Sequence, residues 1–146
     1  MQRHGSYQRY AQPTGEQRFS IQRYRCVACG RTVSVLPANR LPYRPLEAQR
    51  LGAHFDAQAE VGSGPDPPAQ QVEAGCLERA WKRFLTRVEV LKNALGQILP
   101  LGIGNAQELW KQLRCCLGST AAILRELAEP GKRSLLGDYR CLRPAP

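Results

Sequence analysis

Residues 18–36 read Arg18-Phe19-Ser20-Ile21-Gln22-Arg23-Tyr24-Arg25-Cys26-Val27-Ala28-Cys29-Gly30-Arg31-Thr32-Val33-Ser34-Val35-Leu36. The first eight alternate strictly. Phe19 and Ile21 point one way, with Arg23 following, and polar groups with Tyr24 point the other, the signature of a strand. Thr32 to Leu36 is a second, β-branched strand. Between them, Cys26 and Cys29 stand at C-x-x-C spacing on what must be a tight turn. Two thiolates so placed can bind one metal ion, and Gly30 permits the left-handed backbone that aims main-chain N–H groups at the sulfurs.

Upstream, Ser6-Tyr7-Gln8-Arg9-Tyr10 alternates aromatic and polar residues, and Pro13-Thr14-Gly15 is turn chemistry. Residues 6–25 therefore predict two strands around a turn. Downstream, Pro37, Pro42 and Pro45 make residues 37–45 an extended lead-out that cannot be helical.

The rest of the chain changes period. Leu46 to Ala59 predicts a helix at residues 46–60, with Leu46, Arg50, Leu51 and Phe55 at helical spacing. Residues 61–68, rich in Gly and Pro, predict a loop or linker. Residues 69–129 then predict a helical domain. Leu77, Trp81, Phe84, Val88, Leu91, Leu95 and Ile98 recur at alternating steps of four and three, a heptad-like seam on one helix that Pro100 stops. Asn105, with Glu108 three residues on, predicts the start of the next helix. Its apolar stripe reads Leu109, Leu113, Cys116 and Leu117, and Gly118 interrupts it. Thr120 to Glu129 continues helically until Pro130-Gly131. Residues 130–146 read as a flexible tail.

The 146 residues carry 17 Arg and four Lys against 12 acids, a formal net charge of +9. Arg dominates the bases, and its planar fork suits phosphate better than Lys does. Residues 1–50 hold nine Arg against Glu16 and Glu47, whereas residues 51–76 hold four acids and no base. A basic, Arg-rich first third is the electrostatic footprint of a nucleic-acid binder, although solubility alone also favours such charge. No run approaches the ~20 apolar residues of a membrane span. The first ten residues lack the apolar stretch of a secretory signal. The expected location is the reducing cytoplasm, which makes the six Cys thiols or metal ligands rather than a disulfide framework.

A closed structural zinc site needs four ligands. Upstream of Cys26 the sole candidate is His4; Cys76, Cys115, Cys116 and Cys141 lie in or beyond the helical part. Cys116 falls on an apolar stripe and reads as a core residue. Two unligated thiols, or a redox pair, remain alternatives to a metal site, though a redox pair normally opens a helix rather than a Val-rich strand.

His4-Gly5-Ser6-Tyr7, then Arg23 through Pro37, then Leu41-Pro42-Tyr43-Arg44, together resemble the N-terminal zinc-ribbon region of bacterial transposase-like proteins related to insertion-sequence transposases. Leu77-Glu78-Arg79-Ala80-Trp81-Lys82-Arg83-Phe84 is similar, more loosely, to the basic last helix of the helix-turn-helix that follows the ribbon in that family. The resemblance implies an α+β fold: a small zinc-ribbon-like β hairpin region at residues 1–45, then a mostly α-helical, helix-turn-helix-like bundle. It implies zinc on Cys26 and Cys29, with His4 as a third ligand, but the family's first C-x-x-C pair would lie ahead of His4 and is absent. The expectation is that the reading frame continues upstream and encodes it.

The resemblance and the charge together imply double-stranded DNA as partner, held by Arg23, Arg25 and Arg31 around the knuckle and by Arg79, Lys82, Arg83 and Arg87 on the helix. No nucleotide-binding glycine motif is present, and Asp56, Asp66 and Asp138 read as isolated, so a binder rather than an enzyme is expected. The expectation is thus a non-catalytic accessory or N-terminal part of a mobile-element protein. The alternatives are a helical interaction module that forms a homo-oligomer through residues 77–98, with a decayed ribbon, and a gene remnant.

Overall fold

The alternating residues pair as a three-stranded antiparallel sheet in the order β1-β2-β3: β1 spans Gln2–Tyr10, β2 Arg18–Arg25 and β3 Thr32–Val35. The computed structural model describes residues 1–37, 39–41, 44–61, 66–128 and 133–138. Among the described residues five helices follow the sheet: α1 Ala48–Gln58, α2 Gln71–Leu85, α3 Val88–Leu95, α4 Ala106–Leu117 and α5 Thr120–Ala128. The fold class is α+β. No helix among the described residues is long and apolar enough to cross a membrane.

Register sorts the sheet's side chains into two faces. Tyr7 lies opposite Ile21, and Arg9 opposite Phe19. These four share one face, with Arg23 beyond them. The lead-out covers part of this face. Ile21 is fully buried, and the Arg40 guanidinium lies over the Phe19 ring at 4.9 Å. Arg40 also donates to the Ala11 carbonyl at 2.6 Å and pairs with Glu47 at 2.7 Å, tying the sheet to the start of α1.

The helices share one apolar core. Leu51 and Phe55 of α1, Leu77 and Phe84 of α2, Leu91 and Leu95 of α3, Trp110 and Leu113 of α4 and Ile123 of α5 are all buried in it. Phe55 stands at its centre, edge-on to Trp110 at 5.0 Å and to Trp81 at 4.8 Å. α1 and α5 approach closely because Gly52 has no side chain: a Cβ there would fall 2.0 Å from Thr120 Oγ1. The helix expected at 46–60 is therefore a central member of the bundle, packed with the helices of residues 69–129.

Several expectations change. The single helix through Leu99 breaks at Thr86 and Arg87. The Thr86 hydroxyl donates to the Arg83 carbonyl at 2.9 Å, and the Arg87 N–H turns to Phe84 rather than Arg83, which closes α2 with a tightened turn. Phe84 before the break and Leu91 after it are both buried in the core. The heptad seam thus belongs to two helices, and Leu77, Phe84, Leu91 and Leu95 face the chain's own interior, while Ile98 is 49% exposed. Trp81 is half-buried rather than buried. Leu109 and Leu113 of the stripe expected on α4 are buried and Leu117 packs against the core, but Ala106 and Trp110 complete the buried stripe and Cys116 is exposed. Of residues 130–146, Arg133–Ser134 and Gly137–Asp138 pair as a short hairpin, and Leu135 and Leu136 at its tip are buried against the core. Residues 62–65 of the expected linker, Pro130-Gly131 and Cys141 lie outside the described residues.

Candidate functional site

The sheet carries the densest charge. Its strands hold Arg3, Arg9, Arg18, Arg23 and Arg25 and no Asp or Glu; Glu16, the one acid in residues 1–45, sits in the turn before β2. Every side chain of β1 except half-buried Arg9 is exposed.

The knuckle forms at the end of the sheet, between β2 and β3. The Cys26 N–H donates to the Arg31 carbonyl at 2.8 Å, and the Gly30 N–H to the Cys26 carbonyl at 2.9 Å. Gly30 takes φ of 69°, the left-handed conformation its position suggested. Arg25 Nε closes over the turn onto the Gly30 carbonyl at 3.2 Å. Hydrogen bonds from the Cys29 N–H, the Cys29 thiol and the Ala28 N–H lower the Cys26 pKa from its ordinary value. The turn is thus arranged to favour a thiolate at Cys26.

For zinc this is half a site. Among the described residues no third His, Cys, Asp or Glu joins the two sulfurs, and His4, on the exposed edge strand at an irregular step in the β1 register, is not brought to them. Cys76 is on α2, where its sulfur accepts from Arg79 at 3.2 Å. The described residues fit two of the four corners that a closed zinc centre needs.

The expected DNA contacts divide into three kinds. Arg79, Lys82 and Arg83 are exposed at i, i+3 and i+4 on α2, with Leu77, Ala80 and Phe84 buried on its other side. They form one cationic strip. Arg25 and Arg31 are exposed at the knuckle. Arg23 and Arg87 are half-buried. Arg23 donates to Thr32 Oγ1 at 3.0 Å and lies 5.9 Å from the Tyr7 ring centre, so it serves the sheet's inner face. Arg87 sits in the α2–α3 turn. The knuckle is at one end of β2, whereas the β1–β2 turn at the other end shares a cavity of about 210 Å³ with Pro68, Gln70 and Glu73 at the start of α2.

Two further ion clusters lie inside the bundle, where sequence spacing gave no sign of them. Asp56 of α1 accepts from Trp110 Nε1 at 2.8 Å and from both arms of Arg114. Asp66 pairs with buried His54 and with Arg50 at 2.8 Å, and Arg50 reaches Glu73 at 3.6 Å. Asp56 and Asp66, expected to stand alone, are each engaged in tying elements together. No family model, curated protein or solved structure matches the chain.

Proposed function

We propose that this protein is a non-catalytic DNA-binding module acting in the cytoplasm, where its thiols stay reduced. The observation that carries the reading is the acid-free sheet: five Arg on β1 and β2, with no carboxylate on any of its three strands. A surface of this kind attracts phosphate and releases counterions when it binds, which supplies affinity without sequence choice. The α2 strip of Arg79, Lys82 and Arg83 adds a second basic surface, on a rigid helix, suited to the backbone of a duplex. The resemblance of residues 3–45 to the ribbon of transposase-like proteins favours the same role, as the DNA-holding part of a mobile-element system. A binding role also suits the interior acids, which are committed to structural ion pairs.

The test is duplex binding as a function of salt. Affinity falls steeply between low and physiological salt, with a slope of about −0.9 per phosphate neutralised. Replacing Arg79 and Arg83 by Ala lowers affinity equally for unrelated duplexes and flattens the slope by roughly two. Binding indifferent to salt, or unchanged by the double substitution, overturns the reading.

A further inference from the structure

We infer that the open face of the sheet is a platform for single-stranded DNA, with unpaired bases stacking on Tyr10 and Tyr24. The inference deepens the DNA-binding reading and rests on it for the polymer's chemistry; it shares Arg3 and Arg18 with that reading and adds Tyr10 and Tyr24.

The register defines the platform. Tyr10 lies opposite Arg18, Gln8 opposite Ser20, and Arg3 opposite Tyr24. All six therefore share one face, opposite the one where Arg40 of the lead-out lies over Phe19. Each end carries a Tyr beside an Arg, Tyr10 exposed and Tyr24 half-buried. Tyr10 and Tyr24 are separated by six residues along β2, or about 20 Å at ~3.4 Å per residue. Between them lie hydroxyl and amide side chains. At one end Arg18 is held in place: its guanidinium sits 4.8 Å from the Tyr10 ring centre and donates to the Tyr10 hydroxyl at 3.0 Å, yet Tyr10 remains 46% exposed.

This combination selects its occupant. A protein partner would ask for apolar area or paired charges; here the aromatic rings are isolated and the charge is of one sign. A duplex offers phosphates but keeps its bases stacked inside. A single strand offers both groups that the face can use, phosphates for the guanidiniums and free base faces for the rings, and stacking is tolerant of sequence. Arg18 beside Tyr10 also provides a cationic plane against which a base can lie.

The full chain is titrated against fluorescein-labelled oligothymidine, oligouridine and a mixed-sequence duplex at fixed salt. Tyr10→Leu and Tyr24→Leu keep apolar bulk and remove the ring. Each is expected to weaken oligothymidine binding by roughly fivefold to a hundredfold while duplex binding changes less than twofold. Tyr10→Phe and Tyr24→Phe are expected to retain wild-type affinity, which separates stacking from loss of the Arg18–Tyr10 hydrogen bond. The Arg79/Arg83 double substitution is expected to do the reverse, weakening the duplex and sparing the single strand. Leu variants that leave oligothymidine binding intact, or that weaken both polymers equally, overturn the platform. Tighter binding of oligouridine than of oligothymidine overturns the assignment to DNA. Oligothymidine binding through the tyrosines without any duplex binding supports the platform and overturns the duplex reading; duplex binding with no tyrosine effect does the opposite.

Discussion

Arg114 grips Asp56 with both arms of its fork, Nε to Oδ1 at 3.0 Å and Nη2 to Oδ2 at 3.1 Å, while Trp110 Nε1 donates to the same carboxylate. The pair joins α1 to α4 across 58 positions of sequence. It adds a polar tie between α1 and α4 to the apolar one, where Phe55 meets Trp110.

Removing that carboxylate leaves a guanidinium and an indole N–H without their acceptor. Asp56→Ala is expected to cost about 2–3 kcal/mol, since both side chains are mostly but not wholly withdrawn from water. Urea unfolding of the single variants and of the double variant with Arg114→Ala reads the coupling, expected at about 1 kcal/mol. Strictly additive losses would show that the pair is idle.

Glu60 ends α1 at φ 55°, in the left-handed region. The Val61 N–H reaches back to the Asp56 carbonyl at 2.8 Å and the Glu60 N–H to Ala57 at 3.3 Å, the two bonds of a Schellman motif. That position favours Gly. Glu60→Gly is expected to stabilise the protein by about 0.5–1 kcal/mol, the relief of left-handed strain exceeding the entropy lost to a freer unfolded chain. A melting temperature that falls would contradict this account.

Burial pushes the Asp66 carboxyl up, but the hydrogen bonds and charges of His54 and Arg50 outweigh it, and its pKa lies below the ordinary 3.8. A carboxylate depressed in the folded state contributes stability that is complete above the unfolded value and is lost as pH falls through the folded one. The stability advantage of the wild type over Asp66→Asn should therefore shrink as pH falls below about pH 4. An advantage that does not change with acidification would remove Asp66 from the ion cluster.

The thiolate-favouring turn at Cys26 makes a chemical prediction. Its alkylation rate by iodoacetamide should rise with pH through a midpoint below the ordinary 9.0. Gly30→Val, which strains the left-handed turn and disturbs the N–H groups aimed at sulfur, should move that midpoint back up. An unshifted midpoint in the wild type would show that those hydrogen bonds do not form.

Period determined the alternating strands before residue 36 and the helical character of the segments between residues 46 and 128, though not the break at Thr86 or the hairpin at 133–138. The alternation at 18–25 set β2, and the Asn105 cap, whose Oδ1 accepts from the Glu108 N–H at 3.0 Å, set the start of α4. The C-x-x-C-Gly knuckle was legible too, because a turn is made by neighbours in the chain. Tertiary structure decided everything that depended on which side of an element met another. The break at Thr86, where the Thr86 hydroxyl and the Arg87 N–H turn back onto α2, lies within a continuous apolar seam whose period gave no sign of it. The exposure of Cys116 follows from the orientation of α4 that buries Trp110 beside Phe55. Arg23 and Arg18 both lie on β2, five residues apart, and the odd separation puts them on opposite faces. Which face stays open was decided only when Arg40 folded back over Phe19. Charges and rings are written in the sequence, but their availability to a partner depends on what the rest of the chain covers.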